Sequence, residues 1–251
     1  LFHDIHLNDD FISVDIAEFK AYLIKGRQQV WEARVQVGKP YRKTPIFKAN
    51  IKYLVFNPTW TVPPTILVKD ILPRLVRDRG YLKEKKLNVI DKNGLWVDPQ
   101  GISWDSISSK SFPYQLQQAS GPDNALGRVK FMFPNPHLVY LHDTPSQDLF
   151  EKSERAFSSG CIRIQNALEL AEILLNDPVK WNRQSIQKAI QSNKTQTVML
   201  TAQIPVLLLY WTAEMGEDGI IRFRKDLYGR DEQILKGLKS HFSFHSVRSA
   251  P

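Results

Sequence analysis

Val30-Trp31-Glu32-Ala33-Arg34-Val35-Gln36-Val37 carries apolar residues at 31, 33, 35 and 37 and turns Glu32, Arg34 and Gln36, with Val30, to the other side. Successive side chains of a strand point to opposite faces, so this spacing seats one face on a core and leaves the other to water. That is the pattern of a half-buried antiparallel strand. Upstream, a strand-forming stretch from Phe11 runs into the turn Lys25-Gly26-Arg27; downstream, Gly38-Lys39-Pro40 ends the pattern. The chain opens as a β hairpin, and a mainly β (α+β) fold is predicted.

A further strand is expected around Ile51 to Phe56. Asn57-Pro58-Thr59-Trp60-Thr61-Val62-Pro63-Pro64 then places three prolines in seven residues, which forbids regular structure and marks a boundary. Beyond it, Ile66 to Arg79 has helical apolar spacing (Ile71, Leu72, Leu75, Val76) despite Pro73, and closes at Gly80. Short strands and turns follow, among them Asp91-Lys92-Asn93-Gly94 and Asp98-Pro99-Gln100-Gly101. Residues 57–120 therefore read as an inserted subdomain, and 11–56 with 121–251 as the main domain. In the second part, strands are expected over Arg128 to Phe133 and His137 to His142, split by Pro134-Asn135-Pro136. Asn166, with Glu169 three residues on, signals a helix whose stripe is Leu168, Ala171, Leu174 and Leu175. A second helix is expected from Asp177-Pro178, with Trp181, Ile186, Ala189 and Ile190 inward. A hairpin of Val206 to Thr212 and Ile220 to Arg224, then a short helix from Asp231, complete the reading.

The 251 residues, 42% of them apolar, suffice for a large packed domain. The longest apolar run, Ile204 to Trp211, is far too short to span a bilayer as a helix. The chain begins at Leu1 with no signal-peptide pattern, so a processed end is expected and the compartment is left open. A net charge of +8 suits an acidic partner. The basic stretches Arg74 to Lys86 and Lys39 to Lys43 lack the aromatic or glycine interleaving of RNA-binding modules, so no nucleic-acid partner is read.

A single cysteine excludes an intrachain disulfide and a multi-cysteine zinc site, leaving Cys161 as a core residue or a reactive thiol. Its setting, Phe157-Ser158-Ser159-Gly160-Cys161-Ile162-Arg163, favours the second: Gly160 permits close backbone approach and the small residues before it open a path to sulfur. A free thiol is only a few per cent thiolate at neutral pH, so the chemistry calls for a partner, and a histidine can accept its proton. His142 ends an expected strand and the following loop is long enough to return it to Cys161. His137 is the rival in that region, while His3, His6, His241 and His245 lie in polar termini. Backbone N–H groups of Gly160 and Cys161, with Ser159, are candidate donors to an oxyanion. Asp143 and Asp148 follow His142, but without further histidines or cysteines they make a poor metal set, and no metal or cofactor is expected.

These residues resemble the YkuD-type L,D-transpeptidase signature, a histidine followed by a Ser/Thr-x-Gly-Cys element; here His142 and Cys161 stand nineteen positions apart. The common form has His before the Gly and Asn two after the Cys, where this chain has Ser159 and Arg163. Those departures, with Gly38 to Pro45, Asn57 to Ile66, Asn124 to Arg128, His142 to Pro145 and Tyr228 to Asp231, resemble the large capped periplasmic subclass typified by YcbB. The resemblance implies a β-sandwich-like catalytic domain with residues 57–120 as a cap over the site, Cys161 as nucleophile and His142 as its base. It implies peptidoglycan tetrapeptide stems as substrate, 3→3 cross-links with release of D-Ala as product, a periplasmic location and covalent inhibition by carbapenems. Tyr140 is then a candidate cleft wall, Arg163 a candidate carboxylate binder or loop brace, and Trp60 a candidate stem contact or packing residue. Hydrolysis of the same acyl-enzyme, attachment of proteins to the wall, and a non-catalytic wall-binding module are the competing readings.

Overall fold

The computed structural model describes residues 9–104, 107, 112–216 and 218–239; His3, His6, His241 and His245 lie outside the described residues. The fold is mostly β. Strands β1 (Phe11–Asp15), β2 (Lys20–Lys25), β3 (Gln28–Gly38) and β4 (Phe47–Phe56) open the chain. The β2–β3 turn has positive φ at both central residues, Gly26 (52°) and Arg27 (72°), as a two-residue type I′ hairpin requires. In β3 the expected alternation holds through Val35, with Trp31, Ala33, Val35 and Val37 buried and Val30, Glu32 and Arg34 exposed, but Gln36 is buried as well, its amide donating to the Ser146 carbonyl and accepting from Arg163.

The later strands are β9 (Val129–Met132), β10 (Leu141–His142), β11 (Ala156–Ser158), β12 (Ile162–Ile164) and β13 (Gln196–Leu209), numbered after four strands of the insert. They complete a nine-stranded sheet in the order β11-β3-β12-β10-β9-β4-β13-β1-β2, and β2 also pairs with β3, so the sheet closes on itself. Closure follows from the length of β3: its first half pairs with β2, and its second half reaches β12 across the other edge. The enclosed core holds Phe56, Phe131, Phe133, Leu54, Leu141, Ile162 and Ile164 with no exposed surface. Burying each such side chain contributes roughly 1.5–3 kcal/mol before ordering costs.

The insert has its own small sheet, β5 (Trp60–Thr61), β6 (Leu87–Ile90), β7 (Trp96–Val97) and β8 (Gln115–Gln118), in the order β5-β8-β6-β7. It buries a separate cluster including Leu72, Leu75, Leu87, Val89, Trp104 and Leu116. Trp60–Thr61 is a short strand where the prolines predicted none, because both residues lie between Pro58 and Pro63 and still pair with Gln118 and Gln117. The expected helix forms as α1 (Pro64–Ile66), a π turn over Leu67–Ile71 and α2 (Leu72–Leu75), and it ends well short of Gly80. Pro73 has no N–H and its ring would strike the Lys69 carbonyl of a regular turn; the π turn takes up the misfit. A one-turn helix, α3 (Tyr81–Glu84), follows. At the junction, buried Asn57 adopts φ 45° and donates through Nδ2 to the carbonyls of Ala189 and Lys194, tying the insert's root to the main domain.

Several other expectations shift. The strand predicted from His137 begins only at Leu141, because the Asn135 side chain bonds the backbone of Phe133, His137 and Val139 and holds a turn through that stretch. Asn166 precedes α4 (Ala167–Leu175) in left-handed conformation with no side-chain cap bond, and Leu170 replaces Leu168 on the buried stripe. The next helix, α5 (Arg183–Gln191), starts after Asn182, whose side chain accepts from Ser185 N; Asp177 instead braces the turn before it. Val206 to Leu209 lie parallel to β1 inside the large sheet, and the late hairpin is β14 (Ala213–Met215) with β15 (Ile221–Phe223). The last element is α6 (Asp231–Lys239). No helix among the described residues is long and apolar enough to cross a membrane.

Candidate active site

One row across the sheet positions the site. Val55 of β4 opposes Lys130 of β9, Lys130 opposes His142 of β10, His142 pairs with Arg163 of β12, and Arg163 opposes Gln36 of β3. Partners in register point to one face, and alternation adds Tyr140 and Cys161, two residues from His142 and Arg163, to the same face. Leu141, Ile162 and Phe131 point the opposite way, into the core. Strand periodicity thus presents imidazole, guanidinium, ammonium and thiol together while their apolar neighbours anchor the strands.

The thiol is partly exposed, and its nearest bonded oxygen is the Leu138 carbonyl at 4.0 Å. Burial pushes its pKa above the ordinary thiol value; the Tyr140 backbone N–H and the charges of Lys130 and Arg163 work against burial without overcoming it. His142 is buried, and its Nδ1 lies 2.5 Å from the Asp143 carbonyl, an acceptor, so Nδ1 carries the proton and Nε2 the lone pair. Burial drives the imidazole down to about 3, Arg163 and Lys130 push the same way, and the Asp143 and Leu126 carbonyls oppose. Thiol and imidazole are both neutral at rest, and no hydrogen bond joins them among the described residues.

The loop before the thiol is held from several distant segments. Gly160 has φ 118°, its N–H donates to Ser158 Oγ (3.0 Å), and Ser158 Oγ donates to the Cys161 carbonyl (2.5 Å). Thr44 Oγ1 donates to the Gly160 carbonyl (2.9 Å) and accepts from Gly38 N (2.9 Å). The Tyr228 hydroxyl accepts from Thr44 N (3.1 Å) and donates to the Gly38 carbonyl (2.7 Å). A side chain at Gly38 would collide with the Arg42 carbonyl and Thr44 N, so this knot requires glycine there. The scattered blocks at 38–45 and 228–231 converge on the thiol's loop.

The other predicted residues take distinct places. Exposed Ser159 accepts through Oγ from Arg42 Nη1 (2.8 Å), and the same guanidinium holds Asp70 of the insert bidentately (2.5 and 2.9 Å). Arg163 donates from Nη1 to Gln36 Oε1 (3.1 Å), while its Nε is buried without a hydrogen-bond partner among the described residues. Tyr140 lies under the Lys130 ammonium, 3.8 Å from the ring centre. Trp60 packs against the insert's core, and no hydrogen bond or ring contact among the described residues joins it to Cys161 or His142. His137 is exposed beside Phe47, ring centres 5.0 Å apart, on the turn that delays β10. The Asp143 carboxylate is taken up by Arg128 N (2.8 Å) and Gln147 Nε2 (3.2 Å). Sequence reasoning missed Lys130, whose one local sign is a lysine between the buried strand residues Val129 and Phe131; Thr44 and Tyr228 fall inside the blocks at 38–45 and 228–231 that carry the resemblance, but no role was read for either.

Comparison with known proteins bears on this arrangement. The family model of the YkuD L,D-transpeptidase catalytic domain matches residues 9–181, a span that contains both His142 and Cys161. The chain belongs to the YkuD L,D-transpeptidase family. A Haemophilus influenzae protein provisionally named an L,D-transpeptidase is 38% identical over 223 residues, covering 89% of this chain and 45% of that protein, so the YkuD chain spans less than half its relative's length. Among solved structures, the catalytic domain of the E. faecium L,D-transpeptidase acylated by ertapenem is 13% identical, with 81% of this chain and 99% of that one covered and a TM-score of 0.36. An L,D-transpeptidase from Mycobacterium smegmatis is 13% identical, with 80% and 58% covered and a TM-score of 0.34.

The buried imidazole of the YkuD domain links site to stability. Folding lowers its proton affinity from an ordinary 6.5 to about 3, so the unfolded chain binds the extra proton between those values and stability falls as pH drops through that window. From pH 7 to 4.5 this one group accounts for a loss of about 2.5 kcal/mol. Urea unfolding of wild type and His142→Asn at both pH values checks it: the variant should lose markedly less stability on acidification, and equal losses would rule the linkage out.

Proposed function

We propose that this domain is a peptidoglycan L,D-transpeptidase that works through a Cys161 acyl-enzyme. The observation that carries the reading is the chain's one thiol, set on the same strand face as His142 inside the matched family span. Sulfur attacks the carbonyl carbon at the L-centre of the third stem residue as the thiol proton passes to His142 Nε2. An imidazolium this acidic holds its proton briefly and gives it to the departing amine, so D-Ala leaves as the C–N bond breaks. The tetrahedral oxygen is met by backbone N–H groups of Ser159 and Cys161; that of Gly160 is already engaged by Ser158. The side-chain amine of a second stem then attacks the thioester, forming the 3→3 amide and restoring the thiol. Tyr140 walls the cleft and Arg163, with one buried N–H unpaired among the described residues, receives a stem carboxylate.

Residues 57–120 act as the cap, docked to the nucleophile loop through Arg42, which bridges Asp70 and Ser159. The basic chain suits the carboxylate-rich polymer of the periplasm, where we place it. Incubation with disaccharide-tetrapeptides and mass analysis of products tests the reading: cross-linked dimers and free D-Ala are expected. Monomeric tripeptide alone would replace it with carboxypeptidase action, and unchanged tetrapeptide with wall binding or protein attachment.

A further inference from the structure

We propose that Lys130 is the cation that steadies the Cys161 thiolate, the part an imidazolium would otherwise play; the inference rests on the reading of Cys161 as nucleophile. Lys130 is the in-register neighbour of His142, and its ammonium is carried inward over the Tyr140 ring, 3.8 Å from the centre. Tyr140 is the residue whose carbonyl accepts from Ile162 N (2.9 Å), so its ring stands beside the thiol's strand end. The aromatic face attracts a cation but does not neutralise it. No carboxylate pairs with Lys130 among the described residues; burial pushes its proton affinity below the ordinary lysine value, and the one interaction that works against burial is with the Cys161 sulfur.

Each group facing the sulfur points to the same division of labour. The Tyr140 backbone N–H comes from just before β10, the Arg163 guanidinium from β12 and the Lys130 ammonium from β9; Tyr53 of β4 faces the Tyr140 hydroxyl, and neutral His142 lies between Lys130 and Arg163 in the row. Burial keeps His142 uncharged at neutral pH, so the positive charge available to sulfur at rest belongs to Lys130 and Arg163. Arg163 is partly committed to Gln36. Among the described residues the Lys130 ammonium has no hydrogen bond of that kind, only the Tyr140 ring, and it sits on a flexible stem, a compact charge able to follow the ion as it forms. When the Sγ–H bond breaks, its electron pair stays on sulfur beside this ammonium; the proton goes to His142 during acyl transfer, or to a solvent base in the free enzyme.

Iodoacetamide tests this without any wall substrate, because the chain has one cysteine and the carbamidomethyl adduct forms there with iodide as leaving group. The alkylation rate is measured against pH for wild type, Lys130→Met and Lys130→Arg, with circular dichroism and urea midpoints to establish folding. Lys130→Met should move the alkylation midpoint up by about one pH unit, slowing alkylation roughly tenfold below it, and Lys130→Arg should restore most of the shift. A folded Lys130→Met with the wild-type midpoint overturns the inference. So does an unchanged midpoint accompanied by a raised KM for tetrapeptide, which would make Lys130 a substrate-carboxylate binder. If tetrapeptides are not turned over yet the midpoint shifts, the transpeptidase reading fails and the role of Lys130 stands.

Discussion

Mixed with a carbapenem, the protein should gain the mass of one drug molecule, and Cys161→Ala should gain none. A β-lactam carbonyl is an acyl donor whose ring opens on attack, so a nucleophile competent for a stem peptide is trapped as a stable ester or thioester. The chain offers one thiol, and burial holds it as the weak, neutral form, so acylation should quicken as pH rises toward the raised thiol pKa. Turnover of tetrapeptide by Cys161→Ala should fall by a factor on the order of 10⁴ or more, since removing the nucleophile of an acyl-transfer site leaves only binding and oxyanion stabilisation. Intact-mass measurement reads the adduct directly. An adduct of the same size on Cys161→Ala would place the nucleophile elsewhere and sink the assignment.

The second large effect lies outside the reacting groups. Gly127 has φ 62°, and a Cβ there would press into the Asp143 carboxylate and stand 2.5 Å from Thr144 N. Its own N–H donates to the Asn124 carbonyl (2.8 Å), so the turn cannot simply swing aside. The left-handed backbone alone costs an alanine about 1 kcal/mol, and the collision with backbone adds to it. Asp143 supplies the carbonyl that fixes His142 Nδ1, so the displacement passes to the imidazole. Gly127→Ala should lose about 3 kcal/mol or more of stability and most of its acylation rate. Gly26→Ala is the control: its φ of 52° is similar but its surroundings are open, so it should lose only about 1 kcal/mol and keep its activity. Urea unfolding and acylation rates of the pair decide the matter, and equal losses in both would show that the contact with residues 143–144 is immaterial.

The elements read well from sequence are those whose signal is local. The β3 stripe of Trp31, Ala33, Val35 and Val37 repeats at period two and has no competing helical reading, and the β2–β3 turn carries its glycine. Boundaries failed where side chains overrode backbone pattern. Asn135 holds a turn through residues read as strand, and Pro73 is absorbed by a π turn that spacing alone does not announce. Val206 to Leu209 pair with β1 and β4, although proximity in sequence suggested a hairpin with Ile220 to Arg224, because an apolar strand buried on both sides does not name its partners.

The sequence by itself determined that the chain is mainly β, that a proline-rich break opens an insert, and that one thiol follows a glycine in a small-residue loop. Those are properties of periodicity, of φ restriction and of residue type, which neighbouring residues settle. The tertiary structure alone decided which side chains share the face with Cys161. Alternation says that residues 130, 142 and 163 point to one side of their own strands, but strand order and register make that side common. It also decided their charges: burial leaves His142 and Cys161 neutral and sets Lys130, which has no carboxylate partner among the described residues, beside them, because desolvation depends on what the whole fold excludes from water.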